Sequence, residues 1–558
     1  MFKKEFEGPN GAEFLVRCLE GAGITHAFGI PGAKIDPVFE ALHDSSIELI
    51  VCRHEQNAGF MAAAMGRMTG QIQACIGTSG PGTSNFCTAL ITATTEGDPV
   101  LCLSGAVPLR MRHQQTHQSM DNVSLMRPVT KWAMEATSSD AIGELVAAAC
   151  RAAQTPRPGA AYLSLPYDVM LAPASGDPLC DQPPDRGGAA DADILQAAER
   201  IAMAKMPVLL AGAASTAAAP AEAIRALLRH RPLPIVGTWE AAGLVPRDKL
   251  DCFFGRVGLF RNQPGDRLLA AADLVITLGF EQVEYDPATW NVAEGSEIVH
   301  IHDRPADFDQ SYQPSLELVG DLATTVTSLS RALPEIPTVE ERPGIANLRA
   351  DVELNHQVPE HQNKIPLHPL SVIAAVREVA DEDSRTTVVC DVGSHYIWMG
   401  RHFYCYEPRR LLFSNGQQTL GVALPWAIAA CLARPGEPVI SMSGDGGFLF
   451  SSQELETAVR LGCNFTHLIW RDGSYDMVAF QQEAKYGRST AVRFGDVDPV
   501  RYAESFGATG FRVEHHDELG KLIRLGQQTP GPVLIDVPVD YSQNEQLMAT
   551  LQDDPRSH

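Results

Sequence analysis

Short apolar runs recur from one end of the chain to the other, with helical patterns in the intervals between them. Ile24–Ile30, Pro99–Leu103, Val208–Leu210, Leu274–Leu278, Thr387–Cys390 and Thr466–Trp470 are examples. Strands of this kind alternating with helices predict an α/β fold with mostly parallel sheets, because strands covered by helices on both faces need no polar side. A length of 558 residues, at roughly 150 per domain, allows three or four domains. Ala172–Asp193 and the Pro- and charge-rich Leu333–His368 read as linkers, which sets three expected domains at 1–175, 190–335 and 366–545. PGAAYLSLPYD (Pro158–Asp168) and PGPVLIDVPVD (Pro530–Asp540) share a Pro-Gly start, an apolar strand, and a closing Pro and Asp. Such an echo is expected of two related domains flanking a different one.

Charge narrows the partners. Lys and Arg number 44 against 68 Asp and Glu, a net charge of −24 with no basic run. Neither nucleic acid nor an anionic membrane suits such a chain, whereas a divalent cation does. The twelve cysteines form no C-x-x-C pair, so neither a zinc site nor a disulfide framework is signalled, and reduced thiols in a cytoplasmic protein are the expectation. MFKKEFEGPNGAEF has no apolar signal core, and no apolar run reaches the length of about 18 residues expected of a membrane span.

Chemistry concentrates in Ser443–Val478. The strand Val439–Ser443 runs into Gly444-Asp445-Gly446-Gly447, whose glycines let backbone approach a ligand closely. Ser451-x-x-Glu454 fits a capping box for a helix to about Leu461, with Gly462 as its stop. The strand Phe465–Trp470 then exits through Asp472-Gly473. Ligands of open parallel sheets sit beyond the carboxyl ends of the strands, so Asp445 and Asp472 should converge there. Two carboxylates with carbonyls and waters suit Mg²⁺, which completes its shell with phosphate oxygens. Neither G-x-x-x-x-G-K-[ST] nor G-x-G-x-x-G is present to hold phosphate in another way.

A GDG followed, after a helix and an apolar strand, by Asn or Asp resembles the thiamin diphosphate (ThDP) binding motif. The resemblance implies that Asp445 and Asp472 are side-chain ligands of Mg²⁺ and that Ser474 is a backbone-carbonyl ligand. Asp472 stands where the family usually has Asn, keeping an oxygen ligand and adding charge. Gly444, Gly446 and Gly447 would border the cofactor, with Gly393, Ser394 and His395 of DVGSHYIW on its diphosphate. In SNGQQTLGVALP, Leu420 would hold the cofactor bent, and the Gln418 carbonyl would accept from the aminopyrimidine amino group. The family also places a glutamate on the aminopyrimidine ring, and IVCRHEQNAGFMAAAMGRMTG offers Glu55.

FGIPGAKIDPVFEAL, THQSMDN, GRVGLFRNQPGDRLL, NGQQTLGVALPWAI and DMVAFQQ carry the resemblance nearly end to end. It is closest to acetolactate synthases of the catabolic, FAD-independent branch. That implies an aminopyrimidine-binding (PYR) domain, a central domain and a diphosphate-binding (PP) domain. It also implies ThDP and Mg²⁺ without FAD, since GRVGLFRNQPG and LGFEQVEYDP stand where the biosynthetic branch carries its FAD motifs. The implied reaction joins two pyruvates into 2-acetolactate and CO₂ on the way to acetoin and butanediol. Gln118 and His117 would lie near the thiazolium, Lys34 on a substrate carboxylate, and Gly32, Val478 and Gln481 around the acceptor. Tyr475, Asp476, Met477 and Val478 would border the cofactor and shape the acceptor pocket. Gln481 replaces a tryptophan that favours 2-ketobutyrate in the biosynthetic enzymes. A homodimer is the implied minimum, with a homotetramer common. The rival readings are a biosynthetic acetohydroxyacid synthase, a 2-keto acid decarboxylase and a non-catalytic ThDP-binding homologue.

Overall fold

Eighteen strands in three six-stranded sheets organise the chain, in a computed structural model that describes residues 8–179, 186–291, 296–354 and 364–548. The first sheet holds β1 (His26–Gly29), β2 (Glu48–Val51), β3 (Gln73–Gly77), β4 (Val100–Ala106), β5 (Trp132–Glu135) and β6 (Ala160–Pro166). The second holds β7 (Pro207–Ala211), β8 (Ile235–Thr238), β9 (Phe253–Val257), β10 (Leu274–Leu278), β11 (Glu297–His302) and β12 (Leu316–Val319). The third holds β13 (Thr387–Cys390), β14 (Leu411–Leu412), β15 (Val439–Gly444), β16 (Thr466–Arg471), β17 (Thr509–Arg512) and β18 (Val533–Pro538). Every pairing between these strands is parallel, as the unbroken apolar runs require.

The first sheet is ordered β2-β1-β3-β4-β6-β5 and the third β14-β13-β15-β16-β18-β17, the same order position for position. β6 and β18, the strands within the two echoing segments, occupy equivalent places. The second sheet runs β12-β11-β10-β7-β8-β9, a doubly wound order that reverses direction between β7 and β10. In the outer two sheets the reversal falls between β1 and β3 and between β13 and β15.

The strands group into two compact units. One takes the first sheet together with Gly416–Gly436 and Ser451–Cys463; the other holds the second and third sheets. Within the first unit the helix Glu55–Thr69, built of small residues and methionines, is buried along most of its length. Arg67 of that helix lies over the ring of Trp426, 4.5 Å from its centroid.

The expected linker Leu333–His368 is corrected in part. A helix, Ile345–Leu354, forms inside it, and Val339, Ile345 and Val352 are buried in the core beneath the second sheet. Arg349 covers the Phe254 ring at 4.2 Å, and Arg267 pairs with Asp351 at 2.7 Å. Proline and charge dominate the local composition, but a few apolar anchors suffice to dock a short helix. Residues 355–363 of that expected linker, and 180–185 of the other, lie outside the described residues.

Candidate active site

In the third sheet Gly444 of β15 is opposite Trp470 of β16, so both strands release their acidic loops side by side. Asp445 opens a single helical turn, Asp445–Phe448. Its Oδ1 accepts the Gly446 N–H at 3.0 Å and its Oδ2 accepts the Gly473 N–H at 2.8 Å, which ties the two loops together. Asp472 accepts the Ser474 hydroxyl at 2.5 Å. A cavity of about 400 Å³ opens on both carboxylates, with Gly473, Leu449 and Phe494 in its wall. A Cβ on Gly446 would stand 2.6 Å from the Tyr475 ring, so a side chain here would have to displace that ring. Ser474 is buried in an antiparallel bridge with Arg493.

Burial pushes the Asp472 carboxyl up to about 7; Ser474 offsets part of the rise, while neighbouring Asp445 and Asp476 add to it. Burial raises Asp445 as well, against the pull of the two N–H donors. Arg471, next in the chain, is turned instead to the buried Asp536, 2.7 Å away. Asp476 accepts from Ser394 at 2.5 Å and from Asn544, and so fastens the loop after β13 rather than joining the pair. Among the described residues no three His, Cys, Asp or Glu side chains are grouped to hold a metal. A cation on this pair would need backbone and ligand oxygens, as Mg²⁺ commonly does.

Gly393, Ser394 and His395 follow β13, across the reversal point from Gly444. The His395 ring packs against Gly393, where a Cβ would lie 2.8 Å from Cε1, and faces Trp470. Burial drops its pKa to about 3, partly opposed by a hydrogen bond to the Asp391 backbone, so the ring is neutral. Its Nε2 is buried without a partner. Met477 is half-buried, while Val478 is exposed and stands one turn from the half-buried Gln481 on the helix Asp476–Tyr486.

A second cluster forms in the first unit, at the reversal point of the first sheet. Glu55 begins the helix after β2 and is 8% exposed. Its Oε2 accepts the Asn85 amide at 2.9 Å. A Cβ on Gly82 would stand 3.3 Å from its Oε1, so the carboxylate faces the loop Thr78–Gly82 that leaves β3. Gly32, in the loop after β1, presses on Thr78, and Gly80 faces Gln118. Gln118 has a φ of 60°, a strained conformation for a side-chain-bearing residue and one that gathers at functional sites. Lys34 is half-buried beside Gly105, whereas the His117 side chain is exposed.

Glu55, Gly32 and Gln118 are thus brought round one loop that sequence reasoning missed. Its Gly-Pro pair directly after an apolar run was the available signal. Gln418 shares the left-handed conformation at φ 48°. Its segment runs along the helix Cys87–Glu96, with Gly416 N–H on Glu96 at 2.9 Å and Thr419 on Thr92 at 2.8 Å. Leu420 is half-buried.

The capping box expected at Ser451 and Glu454 does not form. A 3-10 turn, Ser452–Glu454, precedes the helix Leu455–Leu461 without a side-chain cap. Glu454 accepts instead from Arg53 N–H (2.9 Å), His54 N–H (3.0 Å) and the Asn57 amide (3.1 Å). Ser451 Oγ lies 2.8 Å from Asn57 Oδ1 and 2.6 Å from the Gly421 carbonyl. Distant partners took both side chains from the local motif. Gly462, in the left-handed region at φ 64°, does stop the helix.

The third sheet thus carries paired carboxylates and the first a buried glutamate, and family comparison identifies a class of cofactor enzyme. Residues 9–125 match the thiamine pyrophosphate enzyme N-terminal TPP binding domain, 194–329 the central domain, and 391–537 the C-terminal TPP binding domain. The chain is 49% identical over 539 residues to an acetolactate synthase of Bacillus subtilis, covering 96% of this chain and 94% of that protein. It is 46% identical to a catabolic acetolactate synthase of Raoultella terrigena, covering 98% of each, and 30% identical to the acetolactate synthase isozyme 1 large subunit of Escherichia coli, covering 95% and 94%. The chain belongs to the acetolactate synthase family of thiamine pyrophosphate enzymes.

The residues fit that cofactor. Two half-buried carboxyls on adjoining loops, one raised further by the charge of the other, suit a divalent cation. The orphaned His395 Nε2 beside glycine-rich backbone suits a bound polar group.

Proposed function

We propose that the chain is an acetolactate synthase that decarboxylates one pyruvate and condenses the remainder with a second to give 2-acetolactate and CO₂, feeding acetoin and butanediol formation. The observation that carries this reading is the near full-length likeness to two acetolactate synthases, one of them catabolic. When bound, ThDP supplies the carbanion chemistry. Asp445, Asp472 and the Ser474 carbonyl would hold Mg²⁺, and Gly393, Ser394, His395, Gly444, Gly446 and Gly447 the diphosphate. Glu55 would hold a proton on the aminopyrimidine ring, against which the Gln418 carbonyl and Leu420 also act. Lys34 would meet a pyruvate carboxylate, with Gln118 and His117 near the thiazolium. Tyr475, Asp476 and Met477 would border the cofactor, and Gly32, Val478 and Gln481 the acceptor. A pocket that excludes water protects the condensation from protonation, which would divert it to a decarboxylase outcome.

FAD is not part of the proposal. At the reversal point between β7 and β10, the Glu284 carboxylate takes the N–H groups of Ala213 (2.9 Å) and Glu281 (3.0 Å) and the Thr238 hydroxyl (2.5 Å). These donors are engaged within the protein, which supports the FAD-independent reading. The division at 1–175, 190–335 and 366–545 is supported by one sheet falling in each. A homodimer at least, and a homotetramer by family habit, is supported by Leu449, Phe450, Tyr475, Val478 and Val497, all exposed near the acidic loops. No helix among the described residues is long and apolar enough to cross a membrane, which agrees with the cytoplasmic location we propose. The test is pyruvate with ThDP and Mg²⁺ and no FAD, with acetolactate converted by acid to acetoin for detection. Acetaldehyde without acetolactate, or dependence on added FAD, would defeat the reading.

A further inference from the structure

Glu454 is fully buried, and within hydrogen-bonding reach it meets only donors. Its Oε1 accepts two consecutive backbone N–H groups, of Arg53 and His54, and the Asn57 amide; its Oε2 accepts the Thr457 hydroxyl at 2.7 Å. Among the described residues no cation pairs with it: Arg53 reaches Glu456 instead, at 4.0 Å. A carboxylate so placed is costly to bury unless nearly all its acceptor sites are met. Three of these four donors belong to the turn that opens the helix Glu55–Thr69, and two of them are the N–H groups of the two residues immediately before Glu55. Glu55 is the first helical residue, where the preceding backbone decides where its side chain points. The opposite side of Asn57 meets Ser451, whose hydroxyl reaches the carbonyl of Gly421, the residue after Leu420.

We propose that Glu454 is a positioning residue: its carboxylate fixes the peptide that aims Glu55 and, through Asn57 and Ser451, steadies the Gln418–Leu420 segment. The inference rests on the reading of Glu55 as the aminopyrimidine partner. Glu454 does not itself touch cofactor or substrate in this proposal. A negative charge beside the first turn of that helix is favourable by itself, but a helix-stabilising charge alone would call for no bonds to Arg53 and His54.

The test compares Glu454→Gln with the wild type, each loaded with ThDP and Mg²⁺. Three quantities are measured: turnover of pyruvate, the ThDP dissociation constant, and the near-ultraviolet circular dichroism band of the iminopyrimidine tautomer. Misaiming Glu55 is expected to lower kcat by about 10- to 100-fold and to weaken the tautomer band while ThDP affinity holds. Wild-type kcat and band would overturn the proposal. So would a loss of ThDP affinity and thermal stability with normal kcat on the loaded fraction, which is what a merely structural role produces. Should Glu454→Gln not fold, Asn57→Ala keeps the carboxylate and its backbone donors. It is expected to weaken the band to a smaller degree, and an unchanged band overturns the proposal. Glu55→Gln runs alongside: if that variant turns over pyruvate normally, it is the reading of Glu55 that has failed.

Discussion

The proposed function gives Glu55 and the Asp445–Asp472 pair separable duties, and substitutions should separate them. Glu55→Gln is expected to cost about 10²- to 10⁴-fold in kcat, the range for a positioned acid–base group, with ThDP binding retained in calorimetry. Asp445→Ala should instead weaken ThDP and Mg²⁺ retention, because Asp445 also joins the two loops through Gly446 and Gly473. Asp472→Asn keeps an oxygen ligand and removes a charge that burial and neighbouring Asp445 disfavour, so ThDP affinity should survive it. A dissociation constant as poor as that of Asp445→Ala would contradict the assignment. Away from the site, Asp266 is buried, accepts from Tyr285 at 2.6 Å, and is raised from its ordinary 3.8 to about 6, chiefly by burial. A carboxyl raised in the folded state binds more protons folded than unfolded, so its contribution to stability falls as pH rises from about 4 to 6. Asp266→Asn removes that slope. The wild-type minus variant difference in melting temperature should therefore shrink with rising pH across this window, and a flat difference would contradict the shift.

Among the elements, the strands were legible because burial on both faces leaves unbroken apolar runs: Leu274–Leu278 and Thr387–Cys390 coincide with β10 and β13. The acidic loops were legible because a glycine-rich turn after a strand is a local signal. Two other features were not. The helix Ile345–Leu354 was hidden by proline and charge around its anchors, and Ser451 and Glu454 mimic a capping motif while serving partners some 400 residues away in sequence. Residues whose meaning lies in distant contacts carry no local signature. The docked helix makes its own prediction. Ile345→Ala should destabilise by about 2–5 kcal/mol, as a buried truncation does, read as a lower denaturant midpoint; a change within error would return the segment to the status of a linker.

For the whole molecule, the repeated sheet order shows one architecture used twice, in the first sheet and in the third. Each of these two sheets releases loops at an equivalent reversal point, with Asp445 beside it in the third sheet and the Glu55 cluster beside it in the first. The weak echo between Pro158–Asp168 and Pro530–Asp540 was the trace of this order in the sequence. It marked kinship but could not give strand order, which depends on crossovers. If a second copy covers the exposed apolar residues near the acidic loops, Phe450→Glu should lower the assembled fraction in sedimentation. Its specific activity should then fall on dilution more steeply than that of the wild type. An unchanged mass distribution would place the interface elsewhere.

The first unit is not contiguous, and this has a consequence during synthesis. Its sheet is complete once β6 has emerged, yet Gly416–Gly436 and Ser451–Cys463 also belong to it. Until Trp426 has been released it is missing from above Arg67, and until Glu454 follows, Arg53 and His54 lack their acceptor. The nascent amino-terminal segment must wait, partly uncovered, through roughly 280 further residues, and at about 5–20 residues per second that interval lasts tens of seconds. An isolated fragment ending near residue 175 would remain in this waiting condition, a substrate for chaperones rather than a finished domain.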